Sequence, residues 1–160
     1  MPNVTLRPAS DDDADTIASI WRLGWADGHL GNVPDALVAL RTPESFQIRA
    51  VEGLPHTTVA VVGEAVAGFV MVVDDEVEQV YVARAHRGSG VAGVLLAEAE
   101  RLVAAEGYRE AWLAVAPGNA RARSFYERSG WSDAGLFDYP ASTADGPIQV
   151  PCHRYVKAVG

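Results

Sequence analysis

The stretch Arg87-Gly88-Ser89-Gly90-Val91-Ala92 sets two glycines immediately ahead of an apolar helical pattern. Glycine alone lets backbone N–H groups crowd around an anion in such a turn, and the positive end of the following helix adds to the attraction. The loop therefore reads as a phosphate cradle. Just upstream, Glu76 and Glu78 stand two residues apart in a β-rich run. That spacing puts both carboxylates on one face of a strand leading into the loop, where they are candidate proton acceptors.

Three readings of the loop compete. Gly88, Gly90 and Gly93 match the letters of the dinucleotide fingerprint G-x-G-x-x-G. That fingerprint wants an acidic residue about 20 positions on for a ribose hydroxyl. The strand found there, Ala111-Trp112-Leu113-Ala114-Val115-Ala116, has none. A P-loop lacks its Gly-Lys-Ser/Thr. A glycine-softened turn with no ligand is the third reading, and the loop by itself does not decide among them.

The wider neighbourhood resembles the GNAT superfamily of acyl-CoA-dependent N-acetyltransferases in two separate blocks. Glu76-Val77-Glu78-Gln79-Val80-Tyr81-Val82, followed by the Arg87 to Ala92 loop, is similar to the family's fourth strand and its pyrophosphate loop, Q/R-x-x-G-x-G/A. Asn119-Ala120-Arg121-Ala122-Arg123-Ser124-Phe125-Tyr126-Glu127-Arg128-Ser129-Gly130-Trp131 is similar to the family's N-x-x-A-x-x-F-Y-x-x-x-G-F. Compatible elements on both sides extend a weaker likeness across most of the chain. The resemblance implies acetyl-CoA as cosubstrate, lying in a V-shaped gap where the fourth and fifth strands part. Main-chain hydrogen bonds to it would come from Val80, Tyr81 and Val82. The amides of Arg87, Gly88, Ser89, Gly90, Val91 and Ala92 would hold its pyrophosphate. Asn119 would bond the pantetheine, with Arg121 beside it.

The same resemblance assigns catalysis. A lysine-like ammonium with a pKa near ~10.4 leaves only about one molecule in 10³ with a free lone pair at pH 7, so a base is useful. Glu76 matches the family's frequent strand-four glutamate, with Glu78 as the second candidate. Tyr126 matches the tyrosine that protonates the departing sulfur. Plainer readings stand beside each: exposed carboxylates at a strand start, an aromatic packing pair in Phe125 and Tyr126, and simple helix capping by Asn119.

Composition narrows the field further. The 160 residues, 49% hydrophobic and 21% charged, suit one domain over 1–160 with a core of its own. A formal charge of −8 argues against nucleic acid or an anionic membrane as partner and favours a small cationic amine as acceptor. An anionic cofactor would then need local positive charge, and Arg84, His86, Arg87, Arg121 and Arg123 gather beside the two blocks. Cys152 is the single cysteine, so no internal disulfide forms; a small buried residue in a late strand is its expected role. Cys152-His153 lacks a third orienting group, and the four histidines show no metal-ligand spacing, so no metal is expected. Without an apolar run near 18 residues or a charged-then-apolar leader, the expectation is a cytoplasmic protein. Oligomeric state stays open, a homodimer included.

The elements that must position these residues follow in order. Val4 to Arg7 forms a short strand, and Ser10 with Asp11, Asp12 and Asp13 starts a helix whose apolar positions include Ala14, Ile17, Trp21 and Trp25. From Trp25 to Val33 a polar, glycine-rich loop is expected, and the resemblance makes its Trp25, Asp27 and His29 candidates for gripping the acceptor. Should the acceptor bear a carboxylate, Arg22 or Arg49 would be the residues to examine. Helical stretches open at Pro34 and at Thr42-Pro43-Glu44. Thr58 to Val62, Val66 to Val73 and Glu76 to Val82 make an antiparallel meander. The helix after the glycine loop ends at Gly107, and Glu110 to Val115 returns parallel. Trp131 to Leu136 and His153 to Val159 are the last strands, joined by a loop between Asp138 and Pro151 long enough to be functional or mobile. The expected fold is α/β (α+β): a mixed sheet of six or seven strands, splayed between the fourth and fifth, with about four helices. The leading function is acetyl transfer to an amine by direct attack in a ternary complex. A non-catalytic CoA-sensing or partner-binding domain on the same fold is the alternative.

Overall fold

β-branched runs separated by two-residue turns leave little choice but a meander, and the turns take left-handed backbone at Gly63 (φ 64°) and Asp74 (φ 55°). The computed structural model describes residues 3–160. It contains β1 (Val4–Pro8), β2 (Thr57–Val62), β3 (Ala65–Val73), β4 (Glu76–Val82), β5 (Glu110–Val115), β6 (Ser132–Ala141) and β7 (Ile148–Ala158). All seven join one sheet in the order β1-β2-β3-β4-β5-β7-β6. Only β4 and β5 pair in parallel, because the helical crossover α4 (Val91–Ala105) carries the chain back to the same end of the sheet.

Five helices cover the sheet. Alternation along β3 separates two cores: Phe69 and Met71 face Ile17, Trp21 and Phe46 of α1 (Ala14–His29) and α3 (Pro43–Gly53). Val70 faces Leu95, Leu96, Ala99 and Val103 of α4 on the other side, and Ala67 joins it there because the pairing of β2 with β3 shifts register at that residue. Each such large apolar side chain taken from water contributes about 1.5–3 kcal/mol. The short α2 (Asp35–Leu40) adds the buried Leu37 to the first core, and α5 (Ala120–Arg128) follows β5. Of the early aspartates, Asp13 is structural: Arg7 donates to it at 2.7 and 3.0 Å and Ser10 N at 2.8 Å, tying the helix start to β1. These donors, Arg7 first, hold its carboxyl at about 2.

Two expectations are corrected. The Trp25 to Val33 loop is in its first half helix, since α1 runs on to His29. Gly24 and Gly28 suggest a break by propensity, but burial of Trp21 and Trp25 outweighs about 1 kcal/mol per glycine. The long loop between Asp138 and Pro151 is mostly hairpin, with β6 and β7 paired as far as Ala141 and Ile148. Pro140 and Pro151 read as breakers, yet β6 is the outer strand and β5 pairs with β7 only from His153 onward. Both prolines thus sit where the ladder has a neighbour on one side only, and a missing N–H is tolerated there.

A third feature is a bulge. Met71 pairs with Gln79 and Val72 with Val77, so Glu78 is an extra residue in β4. The bulge lets Glu76, Glu78 and Gln79 look to one side of the sheet while Val77 and Val80 pack on the other.

Candidate active site

β4 and β5 pair at one position, Glu76 opposite Trp112. Asp75 locks that junction: its carbonyl accepts from Trp112 N at 3.0 Å and its Oδ1 from the indole N–H at 3.1 Å. Beyond it the strands part and leave a cleft of about 1130 Å³. Val80, Tyr81 and Val82 form one wall, and Gly118 to Ala122 with Phe125 and Tyr126 the other. On its far side the β4 wall is fully paired with Gly68, Phe69 and Val70, so its remaining main-chain groups face the cleft.

The glycine loop closes one end of this cleft. Gly88 and Gly90 have φ of 75° and 87°, and a Cβ at either would meet nothing within 4 Å. The amides of Gly88 to Ala92 have no acceptor among the described residues, and those of Val91 and Ala92 begin α4, where no intrahelical partner exists. Ser89 lies off the cleft surface, its hydroxyl donating to the His86 carbonyl and bracing the turn. An open strand edge can hold an extended polyamide, and unpartnered amides at a helix start can hold a diphosphate. The donor set thus fits the pantetheine and pyrophosphate of acetyl-CoA.

Tyr126 lines the cleft with its ring against Phe125, Tyr155 and Trp131 at 5.3, 6.2 and 6.3 Å between centroids. Burial pushes its phenol up to about 12, so it keeps its proton at neutral pH. Asn119 caps α5 by accepting from Ala122 N at 3.3 Å and also lines the cleft, as does the exposed Arg121. Arg123 turns away to Tyr155, Asp133 and the Pro117 carbonyl.

Across β4 lies a second cavity of about 510 Å³. Trp25 and His29 enter it from α1, Arg49 from α3, Arg41 from the end of α2, Glu76 and Glu78 from β4, and Tyr139 from β6. Burial pushes the Glu76 carboxyl up to about 7, against the pull of the Tyr139 hydroxyl, which donates to its Oε2 at 2.6 Å. His29 stacks on Trp25 at 4.9 Å and 4°, and its Nδ1 donates to the Trp25 carbonyl at 3.0 Å. Burial above all pulls His29 down to about 4, so the ring is neutral.

Of the expected site residues, Val80, Tyr81, Val82, Arg87, Gly88, Gly90, Val91, Ala92, Asn119, Arg121 and Tyr126 come together on the cleft. Glu76, Glu78, Trp25 and His29 meet in the second cavity. Asp27 does not join them, which is a correction. On a helix, Trp25 and His29 are four apart and share a face while Asp27 lies on another. Its carboxylate instead binds Arg84 at 2.9 Å and Arg87 at 2.8 Å beside the glycine loop, and Arg84, then Arg87, holds it below the usual carboxylate range. Arg22 is exposed and lies outside the cavity. Tyr139 and Arg41 escaped the sequence reading. The alternation Phe137, Tyr139, Ala141 was the available signal for Tyr139; nothing local marks Arg41.

Comparisons with known proteins agree with this architecture. A family model described as acetyltransferase (GNAT) matches residues 18–131. The fold is similar to a GCN5-related N-acetyltransferase from Rhodopseudomonas palustris, with a TM-score of 0.76 at 20% identity over 99% of this chain and 97% of that one. It is similar to YncA from Salmonella typhimurium, solved with acetyl-CoA, at a TM-score of 0.71, 18% identity and 99% and 95% coverage. PaiA from Thermoplasma acidophilum, solved with coenzyme A, gives 0.68 at 17% identity over 98% and 99%. No curated protein matches the sequence. Among the described residues, no helix is long and apolar enough to cross a membrane.

Proposed function

We propose that this chain, which belongs to the acetyltransferase (GNAT) family, moves an acetyl group from acetyl-CoA to the primary amine of a small molecule, by direct attack within one domain. The observation that carries this reading is that β4 lines both cavities, Val80 to Val82 on the cleft and Glu76 with Glu78 on the smaller one. The likeness to PaiA solved with coenzyme A and YncA solved with acetyl-CoA supports the cosubstrate.

The β4 main chain and Asn119 hold the amide arm. The amides from Gly88 to Ala92, Ser89 included, hold the pyrophosphate, with Arg121 beside them; the amide of Arg87, expected to join them, donates to the Arg84 carbonyl at 3.3 Å instead. Bound acetyl-CoA supplies an acetyl group already activated as a thioester. An acceptor arrives as its ammonium form, positive at the reacting end, and Glu78 and the ionised fraction of Glu76 draw it in. Glu76, poised near 7, takes one ammonium proton on a carboxylate oxygen, directly or through water, and frees the lone pair. Tyr139 occupies Oε2 and so aims the other oxygen. As the nitrogen–carbon bond forms and the carbon–sulfur bond breaks, Tyr126 gives its hydroxyl proton to the departing sulfur, and the second N–H proton, lost as the amide forms, returns to it through water. A domain that merely senses CoA gains nothing from a half-buried carboxylate beside the cleft.

The test is release of free thiol from acetyl-CoA across a panel of small amines. Amine-dependent release is expected. Tight acetyl-CoA binding without any amine-dependent release would leave only the CoA-binding domain.

A further inference from the structure

We infer that the acceptor carries an oxyanion in the same small molecule as its amine, an amino-acid-like zwitterion whose anionic end is bound by Arg41 and Arg49. The inference rests on the acetyl-transfer reading above and names the substrate class of that site. Both arginines line the smaller cavity. Arg41 Nε and Arg49 Nη1 are buried and have no hydrogen-bond partner among the described residues. Neither guanidinium has a carboxylate within ion-pair distance there, although other arginines of the chain do, such as Arg7, Arg84 and Arg87. Buried donors left unpaired are costly, and buried cations without counter-ions more so.

The two side chains are held in place by contacts that leave donors free. Arg41 Nη1 donates to the Ser142 carbonyl at 2.7 Å, an uncharged anchor. Arg49 sets its guanidinium carbon over Trp21, 4.3 Å from the ring centroid, a contact that uses the charge and occupies no N–H donor, so its Nη1 stays available for an oxyanion. Burial, and then Arg49, pulls the Arg41 guanidinium down to about 10, the mark of two cations sharing one space.

Charge in the cavity is unevenly placed: Glu76 and Glu78 come from β4, Arg41 and Arg49 from the α2–α3 side, and Glu52 of α3 also lines the wall, bearing with Glu78 on Arg49 without an ion pair to it. A zwitterion satisfies both poles at once, ammonium toward the glutamates and oxyanion toward the arginines. A diamine would press its second cation against two arginines, so the chain's overall charge of −8 is a poor guide to this cavity. Leu37, Met71, Val73 and Val150 supply apolar wall for a hydrocarbon side chain.

The experiment compares standard L-amino acids with their carboxamides, in turnover and in calorimetric binding to the CoA-loaded protein, with taurine and 2-aminoethylphosphonate as sulfonate and phosphonate probes. Acids are expected to exceed their carboxamides on the order of 10- to 100-fold in kcat/KM or affinity, the range of charge-assisted hydrogen bonds. Arg49→Met should bring that ratio within about threefold, with Arg49→Lys intermediate. Because the ratio is read first on the parent protein, a variant that fails to fold does not hide the answer. Amines turned over with acids no better than carboxamides would overturn the inference and leave acetyl transfer standing. Acids bound preferentially but never acetylated would uphold the anion site and sink acetyl transfer instead.

Discussion

The two cavities flanking β4 are built from different materials. The cofactor cleft is mostly main chain and small residues: an unpaired strand edge, a left-handed glycine loop and the start of α4. The smaller cavity is made of side chains from α1, α2, α3, β4 and β6, and its parts come from distant positions, as with Arg41 and the Ser142 carbonyl that anchors it, 101 positions apart in sequence. A main-chain site recognises groups shared by every CoA thioester and needs only a short run of permissive residues. A side-chain site recognises one acceptor and can be rebuilt without touching the loop. α1 is the partition between them: Trp21, Trp25 and His29 face the smaller cavity, while Gly24, Asp27 and Gly28 face the cleft.

If the two sites are chemically separate, single changes should break one and spare the other. The largest expected loss is Glu76→Gln, which removes the proposed base and keeps an oxygen for Tyr139. Its kcat should fall on the order of 10³-fold while acetyl-CoA affinity, by calorimetry, stays within about twofold. The same change should alter stability with a defined sign. Glu76 is raised in the folded protein from 4.5 to about 7, so folding favours its protonated form. Its contribution is fully present below 4.5 and is lost as pH rises through about 7. Thermal melts at pH 8 should therefore show Glu76→Gln more stable than the parent; equal or lower stability would contradict the burial of this carboxylate.

Tyr126→Phe comes next, since a thiolate leaves tolerably well without a donor. A kcat loss on the order of 10²-fold with KM for acetyl-CoA nearly unchanged is expected, and full activity across pH would remove Tyr126 from the mechanism. Gly90→Glu is the converse, aimed at the cleft. The position has φ 87° and open space around it, so the fold should survive with local strain. A carboxylate beside the amide cradle should weaken acetyl-CoA on the order of 10- to 100-fold. Unaltered binding would move the pyrophosphate elsewhere.

The same division explains what was legible in the sequence. The glycine loop and the Asn119 to Trp131 block could be read because their chemistry is local: φ at Gly88 and Gly90, amides at a helix start, a cap that accepts from the amide three residues on. The strands of the meander were legible as β-rich runs broken by short turns. The end of α1 was not, because glycine propensity points one way and packing the other. A Cβ at Gly24 would come within 2.4 Å of the Tyr81 ring, so that glycine permits a close helix–sheet approach rather than ending the helix. Asp27 was misplaced as a direct result, since a loop has no fixed face and a helix does. The bulge at Glu78 leaves no local mark, and the anchoring of Arg41 by Ser142 is a tertiary fact. The β6–β7 hairpin was hidden by prolines whose tolerance depends on which strands lie beside them.

Tyr139 gives the finest measure of the difference, because it reaches the base from the hairpin that sequence alone reads as a loop. Its hydroxyl donates to the Glu76 carboxylate at 2.6 Å and so lowers that group's pKa. The other groups that bear on Glu76 are Glu78 and Asp75, which raise it, and Arg154, which lowers it; burial outweighs them all. Tyr139→Phe removes one lowering influence and leaves the rest, so the Glu76 pKa should climb further. The rising limb of kcat/KM against pH, which reports ionisation of the base, should then move to higher pH while the plateau drops only a few fold. Acetyl-CoA affinity, set on the other side of β4, should not respond. A limb that stays in place would mean that Glu76 is not the group titrating, and a limb that moves to lower pH would mean that the Tyr139 hydrogen bond favours the protonated acid.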